Sequence, residues 1–326
     1  MIKEAVESHE PIIQFADQLI ARAIEQAASD IHIEPLKQAY RIRVRQDGLL
    51  HENTVLPISF ATRLVMRFKV MAELDIAERR LPQDGSFRWN KINVRASTCP
   101  TLFGEKIALR LLYHNARPTD FATLGFNEAQ TTIVKNALSK PHGLILLSGP
   151  TGSGKTTTLY TMLHFLNSIE KNISTIEDPI EIALEGINQI NVNSKCGLDF
   201  SNACRTLLRQ DPDVLMIGEI RDAETAKIAI QAAQTGHLVL STVHAKSPQE
   251  TLDRLTSLDV TAQGMSSISL IITQRLLRKQ YSGRIGIYEL FSIGDPTYKT
   301  LSLHDAGMEK VRLGIATQDE LTRVLG

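Results

Sequence analysis

One eight-residue segment constrains the fold of this chain more than any other feature. Residues 149–156 read Gly-Pro-Thr-Gly-Ser-Gly-Lys-Thr and match the phosphate-loop pattern Gly-x-x-x-x-Gly-Lys-[Ser/Thr] at every fixed position. Its glycines allow backbone N–H groups to wrap phosphate oxygens, and a helix that starts at the loop adds a favourable dipole. An apolar run at 144–147 precedes the segment and a helical pattern at 157–166 follows it. This order predicts a strand, a phosphate-binding loop and a helix.

The loop residues have predicted roles toward ATP and Mg²⁺. We expect Lys155 to reach the β- and γ-phosphates and the Thr156 hydroxyl to bind the metal ion. The four fixed positions match by chance in roughly one percent of chains this long, given average residue usage, so a simple glycine-rich turn is the weaker interpretation. The residues predicted to bind the nucleotide are Gly149, Pro150, Thr151, Gly152, Ser153, Gly154, Lys155, Thr156 and Thr157.

The composition is ordinary for a globular protein and argues against several classes of function. Of the 326 residues, 43% are apolar and 22% charged, and Lys+Arg and Asp+Glu both number 36, so no bulk positive charge indicates a nucleic-acid-binding protein. No run approaches the roughly 18 consecutive apolar residues of a membrane span, and we expect a cytoplasmic protein without a signal peptide. Cys99, Cys196 and Cys204 form no C-x-x-C pair, which argues against a disulfide framework or a zinc site.

Hydrophobic periodicity predicts two domains. Residues 1–113 combine helical and alternating patterns, which indicates a small α+β domain. Residues 114–120 contain asparagine and proline and predict a linker. Residues 121–326 alternate short apolar runs with helical patterns, which predicts a P-loop α/β domain with a mostly parallel sheet and a helical C-terminal part. The other predicted elements are helices at 11–28 and 61–74, turns at 46–48 and 82–85, and strands at 93–96, 105–112, 173–176, 214–217 and 238–240.

Polar side chains follow three predicted strands of the second domain. Glu177 directly follows one strand, Glu219 comes two residues after the next, and His244 comes four residues after the third. Because ligands bind beyond the carboxyl ends of strands in an open α/β sheet, we expect these side chains to meet beside the phosphate loop. Carboxylates orient or deprotonate water and hold Mg²⁺. We predict Glu219 as the main catalytic carboxylate, Glu177 as support for water or Mg²⁺, and His244 as a γ-phosphate sensor, with solvated loop acids and a structural histidine as the alternatives.

Three longer segments resemble the secretion and type IV pilus ATPases. Residues 172–181 resemble the Asp box of that family, 207–222 its atypical Walker B region, and 235–244 its His box. The likeness continues at 28–35, 41–48 and 81–85. It therefore covers nearly the whole chain. The resemblance implies a RecA-like ATPase core after a small PAS-like α+β domain, in a hexameric traffic ATPase that couples ATP hydrolysis to assembly of a type II secretion pseudopilus or a type IV pilus.

The same resemblance implies further site residues and partners. In the family, ATP binds between the two domains of a subunit and arginines of the first domain close over the phosphates; Arg95 and Arg110 match those positions. On the bare sequence, the alternating spacing of a strand-borne arginine favours a solvent-facing role for either residue, and the phosphate role comes from the resemblance. The resemblance also implies a homo-hexamer that drives an inner-membrane platform protein, and hence peripheral association with the cytoplasmic face of a bacterial inner membrane.

Two departures from the family concern zinc and docking. Members of the secretion branch usually carry a tetracysteine zinc insertion before a Gly-Arg-x-Gly-x-Tyr-Glu segment, whereas residues 278–283 contain no cysteine. We therefore expect no zinc. The family's amino-terminal docking domain has no counterpart in this sequence, which predicts either a naturally compact member or a trimmed version of a longer one.

Two other functions stay open. A DNA-transfer or DNA-translocating motor with the same core would need a basic channel with aromatic stacking platforms, and aromatic residues make up only 5% of this chain. We accordingly expect no nucleic-acid partner. The other alternative is a scaffold that binds nucleotide without hydrolysing it, and the intact lysine, acidic residues and histidine argue against that interpretation.

Overall fold

The computed structural model describes residues 10–90, 92–112, 120–193, 196–293 and 301–326. The chain divides into two compact units, Met1–Asn115 and Ala116–Gly326. The predicted linker at 114–120 lies outside the described residues except for Asp120, which caps a short helix. None of the described helices combines the length and the apolar character that crossing a bilayer requires.

The first unit is an antiparallel sheet with two helices. Its described elements are α1 (Glu10–Glu25), β1 (Asp30–Pro35), β2 (Tyr40–Gln46), β3 (Leu49–Leu56), α2 (Ile58–Met71), β4 (Gln83–Trp89), β5 (Ile92–Thr101) and β6 (Gly104–Leu112). The strands lie in the order β3-β2-β1-β6-β5-β4, and each neighbouring pair is antiparallel. This arrangement agrees with a small α+β fold.

Alternation along the strands separates an apolar face of this sheet from a charged face. On β1, Ile31 and Ile33 are fully buried in an apolar core that α1 and α2 share. Because successive side chains of a strand point to opposite faces, Asp30, His32 and Glu34 lie on the other face. The first sheet therefore carries ionisable side chains directly on its strands.

The second unit is built around a mainly parallel sheet. Its described elements are α3 (Phe121–Leu124), α4 (Glu128–Leu138), β7 (Gly143–Ser148), α5 (Lys155–Leu166), β8 (Ile173–Glu177), β9 (Asn188–Asn191), α6 (Phe200–Leu207), β10 (Val214–Ile217), α7 (Ala223–Gln234), β11 (Leu238–Val243), α8 (Pro248–Ser257), α9 (Ala262–Met265), β12 (Ile268–Arg278), β13 (Arg284–Phe291), α10 (Leu303–Arg312) and α11 (Gln318–Leu325). The strand order is β13-β12-β7-β11-β10-β8-β9, and only β13 is antiparallel to its neighbour among these strands.

Helices cover both faces of the second sheet, so its central strands are buried. Every residue of β7, β8, β10 and β11 is buried. One apolar core includes residues of α6, α7 and α8, and another includes residues of α4 and α5. Strands covered on both faces read as continuous apolar runs, which is the pattern that the sequence displays at these positions.

The structure confirms most predicted elements and corrects one. The strand predicted at 214–217 is confirmed at both ends, and the helix predicted at 61–74 begins three residues earlier, at Ile58. The turn predicted at 82–85 is wrong, because residues 83–89 form β4 and pair along their whole length with β5. Cross-strand pairing there outweighs the local turn preference of proline, aspartate and glycine.

Candidate nucleotide site

The phosphate loop joins the end of β7 to the start of α5. Gly154 is the N-cap of α5 and has a φ of +87°, a conformation that residues with a Cβ rarely adopt. The helix begins at Lys155, two residues earlier than predicted. A Cβ at Gly149 would lie 2.6 Å from the backbone oxygen of Gln274 on β12. Glycines are therefore required at both ends of the loop, for backbone angle at one and for close packing at the other.

Lys155 folds back over the loop that it follows. Its ammonium donates hydrogen bonds to the carbonyls of Gly149 and Pro150, at 2.8 and 3.1 Å. Burial lowers the pKa of Lys155, and Arg275 lowers it further, while Glu219 opposes both. The lysine is only 9% exposed. A buried cation held over the loop is positioned to attract phosphate oxygens.

The strand ends bring the predicted acidic residues and the histidine to one concave site. Glu177 is the last residue of β8, Glu219 follows β10 by two residues, and His244 directly follows β11. The concavity lies beside the phosphate loop and is lined by Lys155, Thr156, Glu177, Glu181, Glu219 and His244 among others. The predicted meeting of these side chains at the carboxyl edge of the sheet is confirmed.

Glu219 sits in a cationic and partly buried environment. Its carboxylate forms an ion pair with Arg221, and the Nε2 atom of His244 lies 3.4 Å from its Oε2. Burial alone raises the pKa of Glu219, but Arg221 and His244 outweigh burial and leave the pKa below its usual value. Arg221 also approaches Asp178, at 3.8 Å. Glu219 is therefore a negatively charged acceptor at neutral pH.

Glu177 is more deeply buried than Glu219 and is held by three donors. Tyr160 donates its phenolic proton to Oε2 of Glu177, while Thr175 and Gln189 donate to Oε1, at 2.6 and 3.0 Å. Glu177 is only 4% exposed. Burial raises the pKa of Tyr160 and the hydrogen bond to Glu177 adds to that rise, so the phenol stays protonated and remains a donor.

Two residues that the sequence did not single out also face this site. The Thr156 hydroxyl lies 3.4 Å from Oε1 of Glu181, and Arg284, the first residue of β13, lines the concavity. Glu181 closes the segment that resembles the Asp box, and its place there was the available signal. Arg284 is the arginine of the Gly-Arg-x-Gly-x-Tyr-Glu segment at 283–289, which was the available signal, although no role toward the nucleotide was predicted for it.

Arg95 and Arg110 lie together on the charged face of the first unit. They are directly opposite each other on β5 and β6 and line a shallow pocket with Asp30, His32 and Asp84. The Nε atom of Arg110 donates to Oδ1 of Asp30 at 3.0 Å. The side chain of Arg110 is nevertheless 62% exposed. Arg110 is thus held in place by Asp30 and remains accessible to an anion, with Arg95 beside it.

Comparison with known proteins assigns the family. Residues 5–311 match the family described as "Type II/IV secretion system protein". The chain belongs to this family. It is 52% identical over 275 residues to the type IV pilus assembly ATPase PilB of Pseudomonas aeruginosa, which covers 82% of this chain and 49% of that protein. It is 44% identical over 345 residues to the protein transport protein HofB homolog of Haemophilus influenzae, covering 98% and 74%.

Solved structures agree with this family assignment. The pilus retraction motor PilT, solved with bound ADP, is 29% identical and superposes with a TM-score of 0.68 over 94% of this chain and 96% of that one. The ATPase DotB of Legionella pneumophila, at 22% identity, shares the fold with a TM-score of 0.76 over 95% and 94%. This type II/IV secretion family member spans about half the length of the P. aeruginosa PilB that it matches.

The site residues of this family member fit a magnesium nucleotide. Mg²⁺ prefers oxygen ligands, and the Thr156 hydroxyl and the carboxylates of Glu177 and Glu181 supply oxygens at one edge of the loop. The Ser153 hydroxyl is buried and has no hydrogen-bond partner within the described part of the chain. Together with Lys155, these groups provide the charge and the hydrogen-bonding capacity that a bound triphosphate and its cation require.

Proposed function

We propose that this chain is a Mg²⁺-dependent ATPase whose hydrolysis powers assembly of a type II secretion pseudopilus or a type IV pilus. The observation that carries the proposal is the position of Glu219 and His244 at the sheet edge beside a complete phosphate loop. The family assignment and the names of relatives such as the pilus assembly ATPase PilB support the same function.

In the proposed reaction, the chain binds phosphates through its loop and activates water through Glu219. The N–H groups at the start of α5 and the ammonium of Lys155 hold the phosphate oxygens. Glu219 is kept ionised by Arg221, so it orients the attacking water and accepts its proton. His244, within 3.4 Å of Glu219, senses the γ-phosphate.

The metal ion has a predicted place in the same site. When bound, Mg²⁺ neutralises charge on the β- and γ-phosphates. Thr156, Glu177 and Glu181 are the side chains that would hold it, directly or through water. Because Tyr160, Thr175 and Gln189 hold the Glu177 carboxylate, we assign Glu177 to orienting water and supporting the metal ion, and we assign general-base chemistry to Glu219.

Arg95 and Arg110 are proposed as the arginines that contact phosphate. An arginine supplied to a phosphoryl-transfer site accelerates the reaction by about 10³–10⁵-fold. The assignment rests on the family resemblance and on the accessible guanidinium of Arg110. We further propose that residues 121–326 form a RecA-like core, that residues 1–113 form a PAS-like domain, and that residues 114–120 link the two.

The oligomeric state and the cellular location of the protein are also proposals. The relatives named for pilus assembly and type II secretion support a place in such a machine, and the resemblance to the family implies a homo-hexamer that drives an inner-membrane platform protein. Such a motor is peripheral to the cytoplasmic face of the inner membrane, because its partner provides the membrane attachment. Rotation of the two domains as the nucleotide is hydrolysed and released would supply the motion.

The test is ATP hydrolysis by the wild type and by Glu219→Gln over a range of protein concentrations, with and without Mg²⁺. We expect turnover to rise more steeply than linearly with concentration, to require Mg²⁺, and to fall by about 10²–10⁴-fold in Glu219→Gln, the range for loss of a general base. ATP binding should persist in this variant, because it keeps the shape of the side chain.

A matched control is Glu224→Gln. Glu224 is an exposed acid in the first turn of α7 and pairs with Arg205 on the surface, so its loss should leave turnover within about twofold, as expected for a surface pair of small energy. Equal activities of Glu219→Gln and Glu224→Gln would reject Glu219 as the base. A wild type that binds ATP without turnover would instead favour the scaffold function.

A further inference from the structure

A buried amide on β12 contacts the phosphate loop without lining the site. Gln274 is 1% exposed. Its Nε2 donates to the carbonyl of Ser153 in the loop at 2.8 Å, and its Oε1 accepts from the hydroxyl of Thr158 on α5 at 2.9 Å. One amide therefore joins the loop to the helix that follows it. Burying a glutamine is costly unless both ends of the amide are paired, and here both are.

The hydrogen bond to Ser153 fixes the orientation of one peptide group in the loop. A trans peptide is planar, so its carbonyl and its N–H point in opposite directions. Because the Ser153 carbonyl points to the amide of Gln274, the N–H of Gly154 points away from that amide. Gly154 and Lys155 line the concave site, and Gln274 is not among the described residues that line it. The N–H of Gly154 is thereby directed toward the phosphate-binding side.

We propose that Gln274 is a positioning residue that holds the loop in its phosphate-binding conformation through the Ser153–Gly154 peptide. The inference rests on the proposed nucleotide-binding function and extends it to a residue that does not touch the nucleotide. A second contact supports it, since a Cβ at Gly149 would lie 2.6 Å from the backbone oxygen of Gln274. The same residue of β12 therefore packs against the first glycine of the loop and bonds to its fifth residue.

The neighbouring residue on β12 provides a matched control. Thr273 is also fully buried, and its hydroxyl lies 2.8 Å from the hydroxyl of Ser148 on β7. Ser148 directly precedes Gly149, so this hydrogen bond lies just outside the loop. Both substitutions act on the same strand with little change in volume: Thr273→Val removes one buried hydrogen bond and Gln274→Met removes two. Only Gln274→Met frees a peptide group of the loop.

The experiment compares ADP affinity, measured by calorimetry, with the urea midpoint for the wild type and both variants. We expect both substitutions to lower the urea midpoint, because each leaves at least one buried polar group unpaired. Gln274→Met should weaken ADP binding by about tenfold or more, the equivalent of losing one correctly aimed hydrogen bond to phosphate. Thr273→Val should change it by less than about twofold. Equal ADP affinities for the two variants would overturn the proposal.

Two further variants keep the test decisive if Gln274→Met does not fold. Thr158→Val removes the partner that orients the amide, and a smaller weakening of ADP binding in the same direction is expected. Gln274→Glu replaces the donor by an acceptor, so its carboxylate repels the Ser153 carbonyl until it is protonated. Its ADP affinity relative to the wild type should recover as the pH falls, since burial raises the pKa of a carboxyl group.

A purely space-filling role for residue 274 predicts no such recovery with pH, and its absence would reject positioning by hydrogen bonding. Failure of the proposed function is separate from these outcomes. It would appear as a wild-type protein that does not bind ADP at all, in which case the inference about Gln274 falls with it.

Discussion

The two sheets of this molecule carry their chemistry in different places. In the first sheet, β1 and β2 alternate buried aliphatic residues with ionisable ones along the strands themselves. In the second, the four central strands β7, β8, β10 and β11 contain no ionisable residue except Glu177, which ends β8. The first sheet displays charge on a face, and the second displays it along an edge.

This difference follows from how much of each sheet is covered. A sheet with helices on one face has a second face on which ionisable side chains of neighbouring strands can pair with each other, as Glu34 does with Arg43 and Lys106. A sheet covered on both faces excludes charge from its strands, because an unpaired buried charge costs far more than a buried aliphatic side chain gains. The reactive side chains of such a sheet must then lie at the ends of the strands or in the loops that follow them. The number of faces that helices cover therefore decides where functional residues lie. They alternate along the strands of the first sheet, and they lie at or just after the strand ends of the second.

Lys69 is an exception to this comparison, because it is a charged residue on the covered side of the first sheet. Its substitution gives the largest predicted effect on stability. It lies on α2, beneath the covered face of the first sheet, and is 0% exposed. Its ammonium donates to Glu105 at 2.8 Å and to the carbonyl of Glu78 at 2.6 Å. Lys69→Ala should destabilise the first unit by about 3–5 kcal/mol, because Glu105 keeps a buried and uncompensated charge. Urea unfolding followed by the fluorescence of Trp89, the single tryptophan, measures this.

The control for Lys69 is a lysine on the charged face. Lys106 pairs with Glu34 at 3.0 Å, and its side chain is 36% exposed. Lys106→Ala should cost less than about 1 kcal/mol, as partly exposed ion pairs do. If both lysine variants unfolded at the same urea concentration, coverage would not govern the cost of charge in this unit.

One buried carboxylate in each unit predicts how stability depends on pH. Burial raises the pKa of Glu34, but Arg43 and Lys106 outweigh it and lower the pKa to about 2. Glu320 behaves alike, because Arg323 and Arg278 outweigh its burial and lower its pKa to about 2. A lowered pKa stabilises the folded state fully above the ordinary value near 4.5, and this contribution is lost as the pH falls toward 2.

At pH values above about 4.5, each carboxylate contributes at most about 3 kcal/mol to the free energy of unfolding. Wild-type urea midpoints should therefore decrease from pH 5 to pH 2. Glu34→Gln should flatten the profile read from Trp89 fluorescence. Glu320→Gln should leave that signal unchanged and flatten only the circular dichroism transition of the second unit. A profile indifferent to both substitutions would show that other groups control acid stability.

The smallest predicted effect concerns the accessible arginine pair. Asp30→Asn removes a charge that holds Arg110 but keeps the size of the side chain. Stability should change by less than about 1 kcal/mol. If Arg110 contacts phosphate, its release from a competing carboxylate should lower the KM for ATP by up to about fivefold, which corresponds to about 1 kcal/mol. The control is Glu52→Gln on β3, whose KM for ATP should equal that of the wild type. If the KM of Asp30→Asn also equalled the wild-type value, a phosphate role for Arg110 would be contradicted.

Local sequence pattern was sufficient for much of the second unit. The loop at 149–156, the strand at 214–217 and the positions of Glu219 and His244 after their strands are all encoded within a few residues. Patterns of this kind report local geometry, and burial on both faces leaves an unmistakable apolar run. The meeting of these side chains then followed from the topology of parallel sheets alone.

Contacts between distant segments were the part that could not be predicted. The Asp30–Arg110 pair joins residues 80 positions apart, and the Gln274–Ser153 bond joins residues 121 apart. Neither has a local signature, because the register of two strands depends on the packing of whole elements. The turn expected at 82–85 failed for the same reason, since pairing with β5 decides that segment.

One of the two outer strands of the second sheet, β9, has a consequence for how copies of this protein would meet at that edge. β9 has only four residues, Asn-Gln-Ile-Asn, and the side chains of Gln189 and Asn191 bond within their own chain. Exposed sheet edges invite strands of other molecules to add to them, and short polar edges resist this. So short a strand is a poor template for extending the sheet from one copy into the next at this edge. We therefore expect copies that associate there to meet through side-chain surfaces, which can slide or separate without tearing a shared sheet.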